Sequence, residues 1–228
     1  MNIFGQMNVI NASYYGIQAA TCGNITYVRN YKCASSFFYN SLVNLYNWEE
    51  LSFSDIDWTN TKVFSHIRNP IDRRHRGLAH WLYYHLNSNL DDPDVVKIIK
   101  NSAFLDSHSA SYLDTYGDNC YKIDWIPVDI FDNDKVTELT ANFLRYHNQY
   151  TLKGFDQSQK HESSTREKEL YIKIKQDFEN AWKEPYTENP NYAIYRYFLN
   201  DIKLYNQVIE NFNPQGKDWP HISWLQGN

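Results

Sequence analysis

The sequence predicts an α/β fold in which a small, mainly parallel sheet is flanked by helices. Short apolar segments with the composition of strands alternate with segments of helical periodicity. No internal repeat or low-complexity linker interrupts this alternation, and 228 residues are enough to bury a core. Residues 1–228 are therefore expected to form a single domain.

In the first half of the chain, two predicted strands are each followed by a predicted helix. The strands are residues 25–30 (ITYVRN) and 61–67 (TKVFSHI), and the first helix covers residues 35–47. The second helix is expected to begin at Pro70, because proline is favoured in the first turn. At 100° per residue its apolar stripe contains Ile71, Leu78, Leu82 and Leu86, whereas Arg73, Arg76 and His80 share the opposite face.

The second half of the chain continues the alternation with one strand and three helices. A strand is predicted within residues 120–126 (CYKIDWI) and a helix over 133–147. Ser164 followed by Glu167 has the spacing of a capping box, which opens a helix that runs through Trp182. The last helix is expected over residues 191–210.

Composition excludes several classes of protein. The net charge of −5 does not suit a general polyanion binder, and no stretch approaches 18 apolar residues, so neither a nucleic-acid partner nor a membrane is expected. The first 17 residues lack the basic region of a signal peptide. The three cysteines have no metal-type spacing and are odd in number, which favours a reduced, cytoplasmic protein without a metal site.

Positive charge is nevertheless concentrated in one short segment. Four of the eight arginines lie within nine residues, and they are Arg68, Arg73, Arg74 and Arg76. Such a local cluster indicates a site for a small anion. A solvated basic helix face with an Asp72–Arg76 pair at i,i+4 is the alternative, and His75 is expected to be a packed histidine.

A second anion site is predicted where the strand at 25–30 turns into the helix at 35–47. The first backbone N–H groups of a helix have no intrahelical acceptor, and they bind anions together with the helix dipole. Ala34, Ser35 and Ser36 are small enough to let the backbone approach a ligand, and Lys32 adds a mobile charge. The alternatives are that Ser35 or Ser36 is only an N-cap and that Lys32 is a solvated charge.

The two segments together resemble the sulfotransferases, in particular the Golgi carbohydrate group that includes heparan sulfate 2-O-sulfotransferase. K-x-A-S-S-F follows the first strand and I-R-N-P-I-D-R follows the second. The resemblance implies a P-loop-like three-layer fold and two segments that bind 3′-phosphoadenosine-5′-phosphosulfate (PAPS). Residues that match the 5′-phosphosulfate segment are Lys32, Cys33, Ala34, Ser35, Ser36 and Phe37, and those that match the 3′-phosphate segment are Arg68, Asn69, Pro70 and Arg73.

The chain also departs from the family pattern. Arg76 stands where the family usually has a serine on the 3′-phosphate, and it could replace that contact or fill the pocket. Residues 106–131 resemble the family's histidine segment more loosely, and the last helix carries a similar Tyr–Asp–Leu–Tyr spacing at residues 197, 201, 204 and 205. The likeness of residues 160–170 to a closing loop implies that Lys160, Ser163 and Ser164 form part of a lid over the cofactor.

The reaction implied by the resemblance is transfer of a sulfuryl group from PAPS to an acceptor hydroxyl, on a carbohydrate or a small molecule. Lys32 and the backbone N–H groups of residues 34–37 would stabilise the leaving phosphate, so no metal is required. The acceptor must lose a proton to a general base. The candidate bases are His108 first and then His66, with His80, Asp106 and Asp129 as further alternatives.

Two other functions compete with this one. A P-loop kinase-like phosphotransferase shares the strand–loop–helix logic, but RNYKCASSF has no glycine and no Mg²⁺-binding acid is identifiable. A non-catalytic nucleotide- or nucleic-acid-binding module would use RNPIDRRHR with Trp81, Tyr83 and Tyr84 for stacking. A third alternative is a relative of the sulfotransferases that binds nucleotide without catalysing transfer, because Arg76 departs from the family pattern.

Overall fold

The computed structural model describes residues 17–85, 93, 108–148, 155, 163–181 and 191–212. Within these residues, five strands form one sheet in the order β3–β1–β2–β4–β5. The strands are β1 (Gln18–Cys22), β2 (Ile25–Val28), β3 (Glu49–Ser52), β4 (Lys62–Ile67) and β5 (Asp124–Pro127). The helices are α1 (Ser35–Tyr46), α2 (Pro70–His85), α3 (Tyr112–Tyr116), α4 (Asn133–Asn148), α5 (Thr165–Ala181), α6 (Asn191–Tyr197) and α7 (Leu199–Asn211).

The sheet is mixed, which corrects the expectation of a mainly parallel one. Strands β2, β4 and β5 are parallel, with Ile25 opposite Lys62 and Phe64 opposite Asp124. Strand β1 runs antiparallel to both β2 and β3. Gly23 has a positive φ of 61° in the two-residue turn between β1 and β2, a geometry that favours glycine. The α/β class with helices flanking the sheet is confirmed.

Most predicted elements are confirmed, with differences at their ends. Strand β5 begins only at Asp124, because residues 117–122 form a 3₁₀ helix. The single helix expected over 191–210 is wrong, since α6 ends at Tyr197 and α7 begins at Leu199. Strands β1 and β3 were not predicted, because QAATC has a single β-branched residue, Thr21, EELS has none, and neither segment contains an aromatic residue.

The chain divides into two compact units, each made of separate stretches of sequence. The sheet unit comprises residues 15–68, 116–161 and 204–228, and the helical unit comprises residues 1–14, 69–115 and 162–203. Each is described by itself below. That the whole chain acts as a single sulfotransferase-like domain stays a prediction.

The core of the sheet unit is aromatic. Tyr27 and Phe64 from adjacent strands have ring centroids 5.1 Å apart, and Phe64 also lies 4.7 Å from Phe143 of α4. Phe38 and Leu42, one turn apart on α1, are buried in the same cluster. Full burial of one such side chain contributes about 1.5–3 kcal/mol. The two elements that flank the loop between β2 and α1 are therefore fixed by a packed core.

The core of the helical unit lies between α2 and α5. Leu78, Leu82, Leu170 and Ile174 are buried in one cluster. At Gly77 of α2 a Cβ atom would meet the carbonyl oxygen of His108 at 2.6 Å, so only glycine allows the chain to pass so closely. A distant stretch of sequence thereby covers α2 around Gly77 and Arg73.

Candidate functional site

The loop that joins β2 to α1 contains two residues in the left-handed conformation. Lys32 has a φ of 63° and Ala34 a φ of 57°. For residues other than glycine this conformation costs about 1–2 kcal/mol each. The turn is closed by a hydrogen bond from the Cys33 N–H to the Asn30 carbonyl, at 3.3 Å. Backbone strain of this kind persists only where the surroundings impose it, and it concentrates at functional sites.

Two side chains attach this loop to the end of β4. Asn30 is completely buried, and its Nδ2 donates to the His66 carbonyl at 2.7 Å and to Cys33 Sγ at 3.3 Å. Arg68 Nε donates to the Lys32 carbonyl at 2.9 Å. Lys32 and Arg68, taken from the two sequence motifs, are thus in direct contact.

The first turn of α1 has no side-chain cap among the described residues. Its N-cap is Ala34, and no acidic residue lies in the first turn. The alternative that Ser35 or Ser36 is the N-cap is therefore wrong. The helix begins with bonds from the Phe37 and Phe38 N–H groups to the Ala34 carbonyl. The N–H groups ahead of them lie at the positive end of the helix dipole, where an anion is favoured.

Arg29 belongs to the same loop and was missed by sequence reasoning. Its Nη2 donates to Ser36 Oγ at 2.8 Å, and its guanidinium also donates to the Gln18 side chain. The guanidinium carbon lies 5.0 Å from the ring centroid of Tyr31 and 5.5 Å from that of Tyr39. The buried Nε has no hydrogen-bond partner among the described residues. The sequence contained one signal for Arg29: it is a cation that directly follows a strand and precedes Lys32 by three residues.

His66, a predicted base, is a buried core histidine of the sheet unit. Its Nδ1 contacts the Tyr27 hydroxyl at 3.1 Å and its Nε2 contacts Thr140 Oγ1 at 2.9 Å. The ring stacks on Phe38 with centroids 4.0 Å apart. Burial lowers the pKa of His66 to about 3, so the imidazole is neutral at pH 7. With no exposed surface and both nitrogens engaged, it does not fit the role of general base.

The second motif continues into the helical unit, where Asn69 caps α2. Asn69 Oδ1 accepts hydrogen bonds from the N–H groups of Ile71 at 3.0 Å and Asp72 at 3.2 Å. Pro70, the first residue of the helix, has no N–H to satisfy. The backbone donors at the start of α2 are therefore already occupied.

Arg73, which matches the 3′-phosphate segment and lies opposite the predicted apolar stripe of α2, is only 1% exposed. Its Nη1 donates to the Ala110 carbonyl, and its guanidinium lies 4.8 Å from the Tyr112 ring centroid. The alternative of a solvated basic face is therefore wrong at Arg73, because residues 108–112, far away in sequence, cover this position of α2. The contacts of Arg73 with Ala110 and Tyr112 join two segments of the helical unit.

Arg76 forms the predicted i,i+4 pair with Asp72, at 2.8 Å from Nε to Oδ2. The guanidinium lies 4.3 Å from the Tyr171 ring centroid, and the Tyr171 hydroxyl donates to the same Asp72 carboxylate. The side chain of Arg76 is 41% exposed, so it remains accessible to a ligand.

The prediction of a packed His75 is confirmed, since this residue is 3% exposed and its ring contacts Phe178.

His108 lies in a small acid–base cluster of the helical unit. Its ring centroid is 5.0 Å from that of His80, whose Nδ1 is 3.2 Å from Glu167 Oε1. The Glu167 N–H donates to Ser164 Oγ at 3.1 Å, so the capping box is formed on the Ser164 side. The Glu167 carboxylate contacts His80 and can hold its imidazole in one orientation.

The other predicted residues are more dispersed. Ser163 is half-buried, while Lys160 and Asp106 lie outside the described residues. Asp129 is exposed and accepts a hydrogen bond from the Tyr205 hydroxyl at 2.9 Å. Asp201 accepts from Ser111 Oγ and from the Tyr112 and Leu113 N–H groups, which caps α3. Burial raises the pKa of Asp201 to about 6.

Comparison of the chain with protein-family models, with curated proteins and with solved structures gives no match.

Among the residues that the structure describes, no group of three or more histidine, cysteine, aspartate or glutamate side chains could hold a metal ion. No helix among them is both long enough and apolar enough to cross a membrane.

Proposed function

We propose that this protein is a sulfotransferase that moves a sulfuryl group from PAPS to a hydroxyl group of a carbohydrate or small-molecule acceptor. One observation carries the proposal: the strained loop at Lys32 and Ala34 leads directly into an uncapped helix start and is bonded to Arg68. These are the positions at which the sequence resembles the two PAPS-binding segments.

The residues of this loop have the chemistry that an oxyanion requires. Lys32, Arg29 and Arg68 are cations, and the start of α1 adds backbone N–H donors at Ser35 and Ser36. The buried Arg29 Nε, without a hydrogen-bond partner among the described residues, is a further donor. In the proposal Lys32 and residues 33–37 hold the 5′-phosphosulfate, and Arg68 holds the 3′-phosphate.

PAPS, when bound, supplies the activated sulfuryl group. The part proposed for Lys32 and the start of α1 is to stabilise the negative charge that develops on the leaving phosphate oxygen. The bond from Arg68 to the Lys32 carbonyl holds the loop before a ligand arrives, which lowers the entropy lost on binding. His108 is proposed as the base that accepts the acceptor's proton, and normal transfer at neutral pH by His108→Ala would exclude it.

Ligand-dependent thermal stability separates this proposal from a phosphotransferase. We expect 3′-phosphoadenosine 5′-phosphate, the spent co-substrate, to raise the melting temperature of the full chain, whereas Mg–ATP has little effect. At one hundred times the dissociation constant the rise should be about 5–10 °C for a chain of this size. Stabilisation by Mg–ATP alone would favour the kinase-like reading instead.

Lys32→Ala is the direct test of the chemistry. Removing one preorganised donor from a developing oxyanion lowers kcat by about 10²–10³-fold. The measurement is transfer of ³⁵S-labelled sulfate from PAPS to a panel of sugars and small alcohols. Lys135→Ala is the matched control, because this lysine belongs to the same unit and pairs on the surface with Glu138. Unchanged turnover in Lys32→Ala would remove the residue from the reaction.

Arg68→Ala tests the second half of the nucleotide site. If Arg68 holds the 3′-phosphate, the variant loses affinity for 3′-phosphoadenosine 5′-phosphate but keeps its affinity for adenosine 5′-phosphate. If Arg68 only supports the Lys32 loop, both affinities fall together. Calorimetric titration of the two nucleotides distinguishes these outcomes. Unchanged affinity for both nucleotides would mean that the second segment is not a binding site.

A further inference from the structure

Arg74 is a buried arginine of the cluster after β4, and it has no part in the proposed reaction. It lies on α2 with 1% of its surface exposed. Its Nε and Nη2 atoms are both buried, and neither has a hydrogen-bond partner among the described residues. Buried guanidinium groups are normally paired, so this one requires an explanation.

The helical positions around Arg74 are apolar. Ile71, one turn before it, packs in a cluster with Phe178 and Phe198 of the helical unit. Leu78, one turn after it, belongs to the cluster between α2 and α5. Burial lowers the pKa of Arg74 to about 10, so the side chain still carries its charge at pH 7. A full positive charge is therefore held in apolar surroundings, where an anion is strongly favoured.

Three carboxylates described in the helical unit have other partners. Asp72 binds Arg76 and Tyr171. Glu167 contacts His80, and Asp201 caps α3. None of the ion pairs formed within the described stretches includes Arg74.

We propose that Arg74 forms a buried binding site for a small oxyanion: inorganic phosphate, sulfate or a carboxylate. The Nε–H and one N–H of Nη2 lie on the same edge of a guanidinium, and they point in parallel. That edge binds two oxygens of one oxyanion at once, the strongest arrangement an arginine offers. Since these two atoms have no hydrogen-bond partner in the part of the chain that the structure describes, both donors of this edge can serve one anion. This inference does not depend on the proposed sulfotransfer.

Thermal unfolding of the full chain after dialysis into a chloride buffer without oxyanions tests the proposal. Sodium phosphate, sodium sulfate and sodium acetate are each titrated against sodium chloride at equal ionic strength, which separates specific binding from screening. We expect one of the three to raise the melting temperature in a saturable way, by about 5–10 °C at one hundred times its dissociation constant. A wild-type melting temperature that follows ionic strength alone would overturn the proposal.

Arg74→Met is the decisive variant, and Arg166→Met is its control. Methionine keeps an unbranched chain without the charge, so Arg74→Met should lose the oxyanion response and melt no lower than wild type in chloride. Arg166→Met should keep the response, because Arg166 pairs with Glu169 on the surface of the same unit. If Arg74→Met melts well below wild type and neither protein responds to oxyanions, a carboxylate of the chain already pairs with Arg74.

A measurement on the wild-type protein covers the case in which Arg74→Met does not fold. The arginine Nε–H signals are followed by ¹⁵N–¹H correlation NMR during titration with the oxyanion that raised the melting temperature. The Arg74 signal, assigned with an Arg74→Lys sample, should shift in a saturable way with the dissociation constant found by thermal unfolding. A signal that does not move would overturn the proposal.

Discussion

The starts of α1 and α2 look alike in sequence and differ in the structure. Each follows a strand of the parallel part of the sheet, and each has cations around its first turn. The start of α1 is not capped by any side chain that the structure describes, and it is preceded by strained backbone at Lys32 and Ala34. The start of α2 is capped by Asn69. Backbone binding of an anion is therefore expected at α1, whereas any binding at α2 must use side chains.

The arginines of the two regions differ in the same way. Arg29 and Arg68 contact Ser36 and the Lys32 carbonyl, which belong to the candidate anion site itself. Arg73 of α2 donates to a backbone carbonyl of its own unit instead. A cluster of arginines in a sequence thus combines residues of unrelated roles, and only their contacts distinguish these roles. Four predictions test these two regions, in order of decreasing expected effect.

Arg73→Met should destabilise the protein by about 3 kcal/mol. The variant loses a charged hydrogen bond to a buried carbonyl, worth about 1.5–3 kcal/mol, and a buried cation–π contact, worth about 1–2 kcal/mol. Urea unfolding at pH 7 measures the change. If stability is unchanged while affinity for 3′-phosphoadenosine 5′-phosphate falls, Arg73 is a nucleotide ligand, as the sequence resemblance implies.

His75→Phe should make the protein less sensitive to acid. Burial lowers the pKa of His75 to about 3, so the folded state stays neutral at pH 4 while the unfolded chain, with a pKa near 6.5, binds a proton. His75 therefore costs stability as the pH falls from about 6.5 towards 3. Between pH 7 and pH 4 the variant should lose about 3 kcal/mol less than wild type in urea unfolding.

Two other buried groups provide the controls for this pH experiment. The raised pKa of Asp201 acts in the opposite sense, since the stability that Asp201 contributes falls as the pH rises from about 4 to 6. Because Asp201 is present in both wild type and His75→Phe, its effect cancels when the two proteins are compared. His66→Phe should also reduce the acid sensitivity, but at pH 7 it leaves the buried Tyr27 hydroxyl without its His66 partner, whereas the Thr140 hydroxyl keeps its bond to the Val136 carbonyl. An equal acid loss in wild type and His75→Phe would mean that His75 is accessible to protons in the folded state.

Asn69→Ala should cost about 1 kcal/mol, because it removes the side chain that caps α2. Ser35→Ala, at the first residue of α1, should cost less than the roughly 0.5 kcal/mol minimum for losing an N-cap, since no described side chain caps that helix start. The free energy of unfolding in urea is the measurement for both. Equal losses in the two variants would contradict the contrast between a closed and an open helix start.

Ala34→Gly should stabilise the protein by about 0.5 kcal/mol. Relief of the left-handed strain, about 1–2 kcal/mol, exceeds the extra entropy that glycine loses on folding, about 0.5–1 kcal/mol. Asn47→Gly is the control, because Asn47 is also left-handed, at the other end of α1, but asparagine tolerates that conformation. Destabilisation by Ala34→Gly would show that the loop conformation is not strained.

The helices and the parallel strands could be predicted from the sequence because the signals for them are local. The stripe of Leu78 and Leu82, the proline at the start of α2 and the Ser164 cap all concern residues within one or two turns of each other. It missed β1 and β3, whose pairing depends on partners elsewhere in the chain. It also missed Arg29, whose relevance comes from its contact with Ser36 across the turn.

By itself, the sequence determined the helical and strand periodicities, the chemical character of the Lys32 loop and the density of arginines after β4. Only the tertiary structure decided which of those charges are buried. Residues 108–112 cover Arg73, and the packing of α2 isolates Arg74 from solvent. Periodicity is set by neighbouring residues, whereas burial depends on which distant segment packs against a given face, and no single stretch of sequence contains that information.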